Sequence, residues 1–266
     1  MSRDIRCTAI VLLGGNGRRM GLSVPKQYIP VAGKPLFLHC VETFFESGII
    51  TDILLAVPAG DEEKCREYLA GAGMPAAGTI ADPCGGEAGA WRNAECIIRG
   101  FCTGGAQRYD SVYSALKAID WPCDYVFIHD GARPLVSKDD IRLLYEAVRR
   151  DRAAVAGNPC RDTVKVVDNA RFVTDNPDRS VLWNVQTPQV FDFGLARRSY
   201  EALMADLREP AADRVPVTDD AYVVQRYGGA RVRLVETGSE NIKVTTQPDL
   251  AVAAALLEAR RGERPD

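Results

Sequence analysis

The stretch of sequence that decides the fold lies near the start of the chain and reads Thr8-Ala9-Ile10-Val11-Leu12-Leu13-Gly14-Gly15-Asn16-Gly17-Arg18-Arg19-Met20, closing on Pro25-Lys26. The run Thr8–Leu13 predicts a buried strand. The glycines after it let backbone amides approach a ligand closely, and a strand that turns into a helix through such a loop presents N–H groups to an anion. Two arginines and a lysine add positive charge, with no acidic residue between Gly14 and Lys26. We therefore predict a polyphosphate-binding loop here.

This loop differs from the two best-known phosphate-binding loops. A P-loop places Gly-Lys-Ser/Thr after a glycine and four further residues, whereas Arg19 and Met20 stand at that spacing from Gly14. A dinucleotide fingerprint needs Gly-x-Gly-x-x-Gly, and Met20 occupies the position of its third glycine. Residues 34–41 also lack the acidic residue that would bind a ribose. Taken alone, a glycine-rich turn can equally serve packing, so that alternative stays open at this point.

The composition excludes several classes of function. The net charge of −3 gives no field that would hold nucleic acid or an anionic membrane, and no apolar run approaches the roughly 18 residues of a membrane span. Because residues 1–7 lead straight into the first strand, we expect no signal peptide and a cytoplasmic protein. We find no repeat and no domain linker, so residues 1–266 are expected to form a single domain.

The eight cysteines include no Cys-x-x-Cys pair, which argues against a zinc ribbon or a redox motif. His39 and His129 are the only histidines, so a Cys/His metal site is not expected either. We interpret the cysteines as buried thiols in a reducing compartment: Cys7, Cys40, Cys65, Cys84, Cys96, Cys102, Cys123 and Cys160.

Apolar runs alternate with helical patterns along most of the chain. Continuous apolar strands separated by amphipathic helices are typical of a mostly parallel sheet with helices on both faces. We therefore predict an α/β, Rossmann-like fold whose ligands lie beyond the carboxyl ends of the strands. The predicted strands are Thr8–Leu13, Asp52–Val57, Cys96–Thr103, Asp124–Ile128 and Ala153–Gly157, and the predicted helices are Leu36–Ser47, Asp61–Ala70, Asp110–Ile119 and Lys138–Arg150.

Two segments interrupt this alternation. Residues 71–93 are rich in Gly, Ala and Pro and are expected to form a long surface excursion. Within residues 160–184 the pattern Thr163–Val167, a polar turn Asp168–Arg171 and then Phe172–Thr174 predicts an inserted β-hairpin arm. Because such an arm has nothing of its own to bury its apolar side against, we expect it to pack on a second subunit.

The strand ends supply the candidate site residues. A second glycine turn, Gly104–Arg108, leads into Ser111, and the run His129–Pro134 follows the next strand. Asp130 falls where a carboxylate of an α/β nucleotide enzyme meets a magnesium–phosphate or a substrate hydroxyl. His129 is interpreted as a core residue, and Asp219 alone is equally typical of a helix start.

The opening loop, with Pro25-Lys26-Gln27-Tyr28, resembles the first motif of the sugar nucleotidyltransferases. Later motifs come in the order found in the 2-C-methyl-D-erythritol 4-phosphate cytidylyltransferase family, and the likeness runs from about residue 7 to residue 256. They are His129–Pro134, Arg161-Asp162-Thr163, Leu182-Trp183, Gln186-Thr187-Pro188-Gln189, Thr218-Asp219-Asp220-Ala221 and Asn241-Ile242-Lys243-Val244-Thr245.

The resemblance implies that CTP and a polyol phosphate give a CDP-alcohol and pyrophosphate. It implies Mg²⁺ bound mainly through the CTP phosphates, no metal site built from protein ligands alone, and a homodimer whose arm crosses to the partner. The implied catalytic residues are Arg19, Lys26, Arg179 and Lys243. The implied CTP-binding residues are Gly14, Gly15, Asn16, Gly17, Arg18, Gly105, Ala106, Arg108, Ser111 and Asp130. The acceptor phosphate would be bound by Asp130, Arg133, Thr163, Arg179, Thr187 and Lys243.

Two departures from the family pattern keep an alternative open. The family usually opens Pro-Ala-Ala-Gly, whereas Leu12-Leu13-Gly14-Gly15 is closer to the ribitol-5-phosphate cytidylyltransferases, and the turn Gly104–Arg108 lacks the usual acidic residue. The alternative is therefore a ribitol-5-phosphate cytidylyltransferase or another sugar-phosphate nucleotidyltransferase. A catalytically silent nucleotide-binding protein is disfavoured, because Arg19, Lys26 and Lys243 are all present.

Overall fold

The computed structural model describes residues 5–14, 24–74, 96–209 and 216–262. A seven-stranded sheet with the order β11-β7-β10-β6-β1-β4-β5 forms the centre. Its strands are β1 (Cys7–Leu12), β4 (Asp52–Val57), β5 (Ile97–Thr103), β6 (Tyr125–Asp130), β7 (Ala153–Pro159), β10 (Trp183–Asp192) and β11 (Arg233–Glu236). Four short strands lie outside it: β2 (Pro30–Val31), β3 (Lys34–Pro35), β8 (Val166–Val167) and β9 (Val173–Asp175). The helices are α1 (Leu36–Phe45), α2 (Glu62–Gly71), α3 (Arg108–Ala118), α4 (Lys138–Asp151), α5 (Phe193–Asp206), α6 (Asp220–Gly228) and α7 (Gln247–Gly262).

The prediction of a mostly parallel α/β sheet is confirmed. Strand β1 pairs in parallel with both β4 and β6, β4 pairs in parallel with β5, and β7 pairs in parallel with β11. The carboxyl ends of these strands therefore meet at one edge, where the loop after β1 begins. The predicted strand Asp52–Val57 has the bounds observed, and the other predicted strands and helices end within about two residues of theirs, the usual uncertainty of such boundaries.

Strand β10 is the central strand of the sheet that the sequence pattern did not reveal, and the edge strand β11 and the helices α5 and α7 were not predicted either. Strand β10 lies antiparallel between β6 and β7, and its register shifts between Val185 and Gln189. Pro188 within this stretch argues against a central strand because proline cannot donate to a ladder. The register shift accommodates Pro188. The polar segment Gln186–Gln189, whose composition is typical of a loop, therefore lies in a strand between β6 and β7.

Both faces of the sheet are covered by helices, as the alternation of side chains along β1 requires. Ala9 and Val11 pack with α1, α2 and α4, and Ile10 and Leu12 pack with α3, α5 and α6 on the other face. A smaller third cluster joins α7 to the β2–β3 hairpin through residues such as Val31, Val244 and Leu257. None of the helices in the described ranges has the length and apolar character needed to cross a membrane.

The arm is a hairpin, as its alternating pattern predicts. Strands β8 and β9 pair antiparallel, and the turn between them closes when Arg171 N donates to Asp168 O over 3.0 Å. Its apolar side chains are open in the single chain: Phe172 is 72% exposed, and Val166, Val167 and Val173 are each about half exposed. The predicted excursion at 71–93 falls mainly outside the described residues, which resume at Cys96.

Candidate active site

A cleft of about 280 Å³ lies at the carboxyl edge of the sheet. Residues from five separate stretches line it, among them the end of β1, the turn after β5 and the end of β6. The sheet topology thus brings together side chains that are far apart in sequence. The lining residues are Leu12, Leu13, Gly14, Lys26, Gln27, Gly105, Ala106, Gln107, Arg108, Ser111, Asp130, Ala132 and Lys243.

The turn after β5 is held tightly by its own hydrogen bonds. Gly105 N donates to Ser111 Oγ over 3.0 Å, and Asp110 accepts from the backbone N–H of Gln107 at the start of α3. A Cβ on Gly105 would lie only 2.2 Å from the Cβ of Asp110, so a larger residue does not fit. Asp110 supplies a carboxylate to this turn although Gly104–Arg108 contains none, and the turn presents Gly105 and Ala106 to the cleft.

Asp130 is held between two cations. Arg108 Nε donates to its Oδ1 over 3.1 Å, and Lys243 Nζ donates to its Oδ2 over 2.6 Å. Burial alone would raise the pKa of Asp130, but Arg108 and Lys243 outweigh burial and hold that pKa well below its usual range. The carboxylate is therefore ionised at neutral pH, and its low pKa makes it a weak proton acceptor.

Arg108 in turn is anchored to the first turn of α6. Its two terminal nitrogens each lie 2.7 Å from an oxygen of Asp220, and Asp220 also accepts a hydrogen bond from the hydroxyl of Tyr200. Burial lowers the pKa of Arg108, but Asp220 and Asp130 raise it well above its ordinary value. Sequence analysis assigned Arg108 to nucleotide binding, and in the structure its guanidinium joins two carboxylates of the protein.

Two further cations lie where the motifs place them. Lys26 Nζ donates to the carbonyl of Val244 over 3.0 Å, which ties the segment after the loop to the segment that carries Lys243. Arg133 donates to the carbonyl of Asn241 over 2.7 Å. Its buried Nε has no hydrogen-bond partner within the described part of the chain, and burial lowers the pKa of Arg133. An anionic ligand would satisfy that donor.

A second cleft, of about 400 Å³, adjoins the first at Lys243. Arg133 and Arg161 contribute positive charge to it, and Asn158, Asn184 and Gln186 contribute amides. Two clefts that share one lysine provide room for two anionic molecules side by side, with cations between them.

The comparisons with known proteins agree with this arrangement. The model of the 2-C-methyl-D-erythritol 4-phosphate cytidylyltransferase family matches residues 7–259. The chain belongs to this family. A curated member from Lachnospira eligens is 36% identical over 94% of this chain and 99% of its own length. A chloroplastic member from Oryza sativa is 35% identical over 96% of this chain and 76% of its own.

Solved structures of cytidylyltransferases of this family share the fold. The 4-diphosphocytidyl-2C-methyl-D-erythritol synthase from Anaerococcus prevotii superposes with a TM-score of 0.74 at 27% identity, covering 96% of this chain and 99% of that one. The enzyme from Thermus thermophilus gives 0.66 at 26% identity, covering 94% and 98%. The fold and family inferred from the motifs are therefore confirmed.

The remaining site residues of this cytidylyltransferase fall into three groups. Gly15, Asn16, Gly17, Arg18 and Arg19 lie outside the described residues. Thr163 and Arg179 are exposed on the arm, where Arg179 donates to the carbonyl of Arg161, and neither lines the two clefts of the single chain. Thr187, which was predicted to bind the acceptor phosphate, is buried, and its hydroxyl already has two partners inside the protein.

Those partners show how Thr187 shapes the site. Its Oγ1 accepts a hydrogen bond from Asp130 N over 3.1 Å and lies 3.0 Å from His129 Nδ1. His129 Nε2 lies 3.0 Å from the carbonyl of Arg133, and burial lowers the pKa of His129 to about 4. A neutral His129 that donates from Nε2 to the carbonyl of Arg133 accepts a hydrogen bond at Nδ1 from the Thr187 hydroxyl. Thr187 thereby fixes the backbone beside Asp130, and His129 is a core residue as interpreted.

Sequence reasoning missed three members of this arrangement. Asp220 stood in a quoted motif beside Asp219, which caps α6 by accepting from Tyr222 N, but no local pattern pointed from Asp220 to Arg108. Tyr200 lies on the apolar face of α5 and gave no signal of its own. Gln27 was quoted in the motif after the loop, yet nothing in the sequence showed that the residue is 2% exposed and lines the cleft.

Proposed function

We propose that the protein joins CTP to 2-C-methyl-D-erythritol 4-phosphate, giving 4-diphosphocytidyl-2-C-methyl-D-erythritol and pyrophosphate. The observation that carries the proposal is the family match over residues 7–259 of a chain whose two adjoining clefts share Lys243. Relatives and solved structures carry the name of this activity over nearly the whole chain. The opening Leu12-Leu13-Gly14-Gly15 is the feature that resembles the ribitol-5-phosphate cytidylyltransferases, and the family match over residues 7–259 outweighs it.

The chemistry needs positioning and charge compensation rather than proton transfer. An oxygen of the acceptor phosphate attacks the α-phosphorus of CTP, a new P–O bond forms, and the bond to the β-phosphate breaks with its electron pair leaving on pyrophosphate. The attacking group is already an anion, so the main obstacle is repulsion between two anions. Lys26 and Arg19 on the donor side, with Lys243 and Arg133 on the acceptor side, offset that repulsion.

The nucleoside would lie in the first cleft against the turn after β5. The backbone of Gly105 and Ala106 supplies hydrogen-bonding groups there, and Ser111 keeps the turn in shape. The amides of Gly14–Arg18 would hold the triphosphate. Arg108 would act on the nucleotide through Asp130, because its guanidinium is already committed to two carboxylates.

Magnesium fits this site as a companion of the triphosphate. The described residues contain no group of three or more His, Cys, Asp or Glu side chains that could hold a metal by themselves. Asp130 is the carboxylate that lines the cleft, and Mg²⁺ in such sites typically uses one or two carboxylates together with substrate phosphates and water. When bound, the ion would neutralise charge on the phosphates, while Lys243 and Arg108 keep Asp130 ionised.

The acceptor site would be completed by a second copy of the chain. The exposed apolar side chains of the arm, such as Phe172 and Val173, form a surface typical of a protein interface. A two-fold dimer would place the arm of each chain on the other, and Thr163 and Arg179 would then reach the partner's acceptor phosphate.

The seven described cysteines are free thiols, which supports a reducing compartment such as the cytoplasm.

Pyrophosphate release measured with each of four nucleoside triphosphates and with two acceptors tests the proposal directly. We expect turnover with CTP and 2-C-methyl-D-erythritol 4-phosphate, and little with ribitol 5-phosphate. Equal or faster turnover of ribitol 5-phosphate would overturn the acceptor assignment. Preference for another nucleotide would overturn the assignment of the donor.

A further inference from the structure

The cleft contains a buried amide that has no hydrogen-bond partner in the described part of the chain. Gln27 lies in the short 3-10 helix Lys26–Tyr28, the residue is 2% exposed, and it lines the cleft. Within the described chain neither its Nε2 nor its Oε1 has a hydrogen-bond partner. Buried polar side-chain atoms nearly always have one, so an amide with both ends unpaired requires an explanation.

The residues on either side of Gln27 are satisfied. Lys26 donates to the carbonyl of Val244, and the hydroxyl of Tyr28 donates to Asp61 over 2.8 Å while it contacts Cys65. The turn itself is therefore well anchored. The unpaired amide is a local property of Gln27 and not the sign of a loosely built segment.

Gln189 offers a direct comparison, because it is also 2% exposed. Its Nε2 donates to Asp219 over 3.1 Å, and its Oε1 accepts from Ala221 N over 2.8 Å. The protein thus satisfies both ends of a buried glutamine that lines neither of the two clefts. Gln27 differs in lying at the wall of a ligand cleft.

We infer that Gln27 binds the nucleoside part of the nucleotide, with its amide turned into the cleft when the ligand enters. This inference rests on the proposed function. An amide offers one donor group and one acceptor group, and phosphate oxygens of the bound nucleotide would satisfy only the donor. The cytosine edge and the ribose hydroxyls each present donors and acceptors together. The cytosine edge and the ribose hydroxyls therefore share a neutral donor–acceptor pair that matches the amide of Gln27. The cations of the cleft serve the phosphates instead.

The test exploits the opposite effects that replacement by methionine should have on stability and on binding. Gln27→Met keeps the length of the side chain and removes two unpaired polar atoms, so the ligand-free protein should melt at the same or a higher temperature. Its Kd for CTP, measured by calorimetry without acceptor, should rise by about tenfold, the equivalent of one lost hydrogen bond of about 1.4 kcal/mol. Its affinity for inorganic triphosphate should not change.

Two nucleotide analogues separate the base from the ribose. UTP alters the donor–acceptor pattern of the base edge, and 2′-deoxy-CTP removes one ribose hydroxyl. The group that Gln27 contacts is the one whose alteration weakens binding to the wild type but no longer matters in Gln27→Met. Gln189→Met is the matched control, and we expect it to lower the melting temperature because it removes satisfied hydrogen bonds.

Three results would overturn the inference. Unchanged CTP affinity in Gln27→Met would show that the amide does not bind the ligand. A lower melting temperature of the ligand-free variant would show that the amide has a structural partner, and equal weakening of CTP and inorganic triphosphate would assign it to the phosphates. A wild type that fails to bind CTP would instead refute the proposed function itself.

Discussion

Arg108 and Asp220 form a two-pronged ion pair across 112 residues of sequence, with both N–O distances at 2.7 Å. Asp220 has no solvent exposure, whereas the side chain of Arg108 keeps 30% of its surface open towards the cleft. The third nitrogen of the same guanidinium donates to Asp130. The start of α6 is therefore connected to the carboxylate beside the proposed phosphate site through a single side chain.

Replacing Asp220 by asparagine should destabilise the protein. The change removes the fully buried one of the two carboxylates that neutralise Arg108, and breaking such a pair from one side costs about 2–4 kcal/mol of unfolding free energy. Chemical denaturation measures the effect. The control is Glu146→Gln, which removes one of the two exposed carboxylate partners of Arg142 on α4 and should cost less than about 0.5 kcal/mol. Equal costs for the two variants would contradict the assigned importance of the Asp220 pair.

Stability should fall as the solution is acidified from pH 7 to pH 5. Burial lowers the pKa of both His39 and His129 from 6.5 to about 4. The unfolded chain therefore binds more protons than the folded chain between these values, and unfolding free energy rises with pH in that window by at most about 1.4 kcal/mol per pH unit for each histidine. Denaturation curves at pH 5, 6 and 7 would show the slope.

His39→Gln provides the control for that titration, because His39 lies on α1 and does not line the cleft. The variant should keep only the contribution of His129 and give a visibly flatter dependence on pH. A slope identical to that of the wild type would mean that His39 is not held neutral by burial.

The arm and most of the parallel sheet could be predicted from the sequence because their signals are local. Asp52–Val57 is a continuous apolar run, and Thr163–Thr174 alternates around a polar turn. Strand β10 could not be predicted in the same way, since Gln186 and Pro188 interrupt its pattern and only its neighbours β6 and β7 make it a strand.

The candidate site also contains residues with a local sequence signal and residues that only tertiary contacts bring into it. Lys26, Asp130 and Lys243 stand at strand ends or in recognisable motifs, and the structure brings all three to one cleft. The partner of Arg108 could not be read from sequence because no periodicity relates positions 108 and 220. The hydrogen bonds of the Thr187 hydroxyl with Asp130 and His129 could not be predicted either, because they join residues 57 and 58 positions apart.

Gly105→Ala should weaken CTP binding. The new methyl group would lie 2.2 Å from the Cβ of Asp110, so the turn after β5 must open and displace the backbone proposed to contact the base. We expect the Kd for CTP to rise by at least about tenfold, a loss of about 1.4 kcal/mol. Gly71→Ala, at the end of α2 with nothing within 4 Å of the added methyl group, is the control and should bind CTP normally. Normal binding by both variants would remove the turn from the nucleotide site.

Lys26→Ala should lower turnover by about 10²–10³, the typical cost of removing one donor that stabilises charge developing in a transition state. The fold should survive, because the neighbouring Tyr28 keeps its own contacts with Asp61 and Cys65. Steady-state kinetics with saturating CTP and acceptor measures the effect. Lys138→Ala removes an exposed lysine that pairs with Glu46 away from the cleft, and should turn over like the wild type. Near-normal turnover of Lys26→Ala would refute the role assigned to that lysine.

Mixing two inactive variants should restore activity if each site is built from two chains. Lys26→Ala carries an intact arm, and Arg179→Ala carries an intact cleft. In a mixed dimer, one site combines the clefts of the Arg179→Ala chain with the arm of the Lys26→Ala chain. Both Lys26 and Arg179 are present in that site. We expect each variant alone to be nearly inactive, and co-refolded or subunit-exchanged mixtures to regain turnover in proportion to the mixed dimers formed.

Light scattering would establish the dimer, and Phe172→Glu, at a residue 72% exposed on the arm, should shift it towards monomer. Dimers that exchange subunits without regaining turnover would show that Arg179 serves its own chain, because only a residue contributed by the partner can be supplied by the second variant.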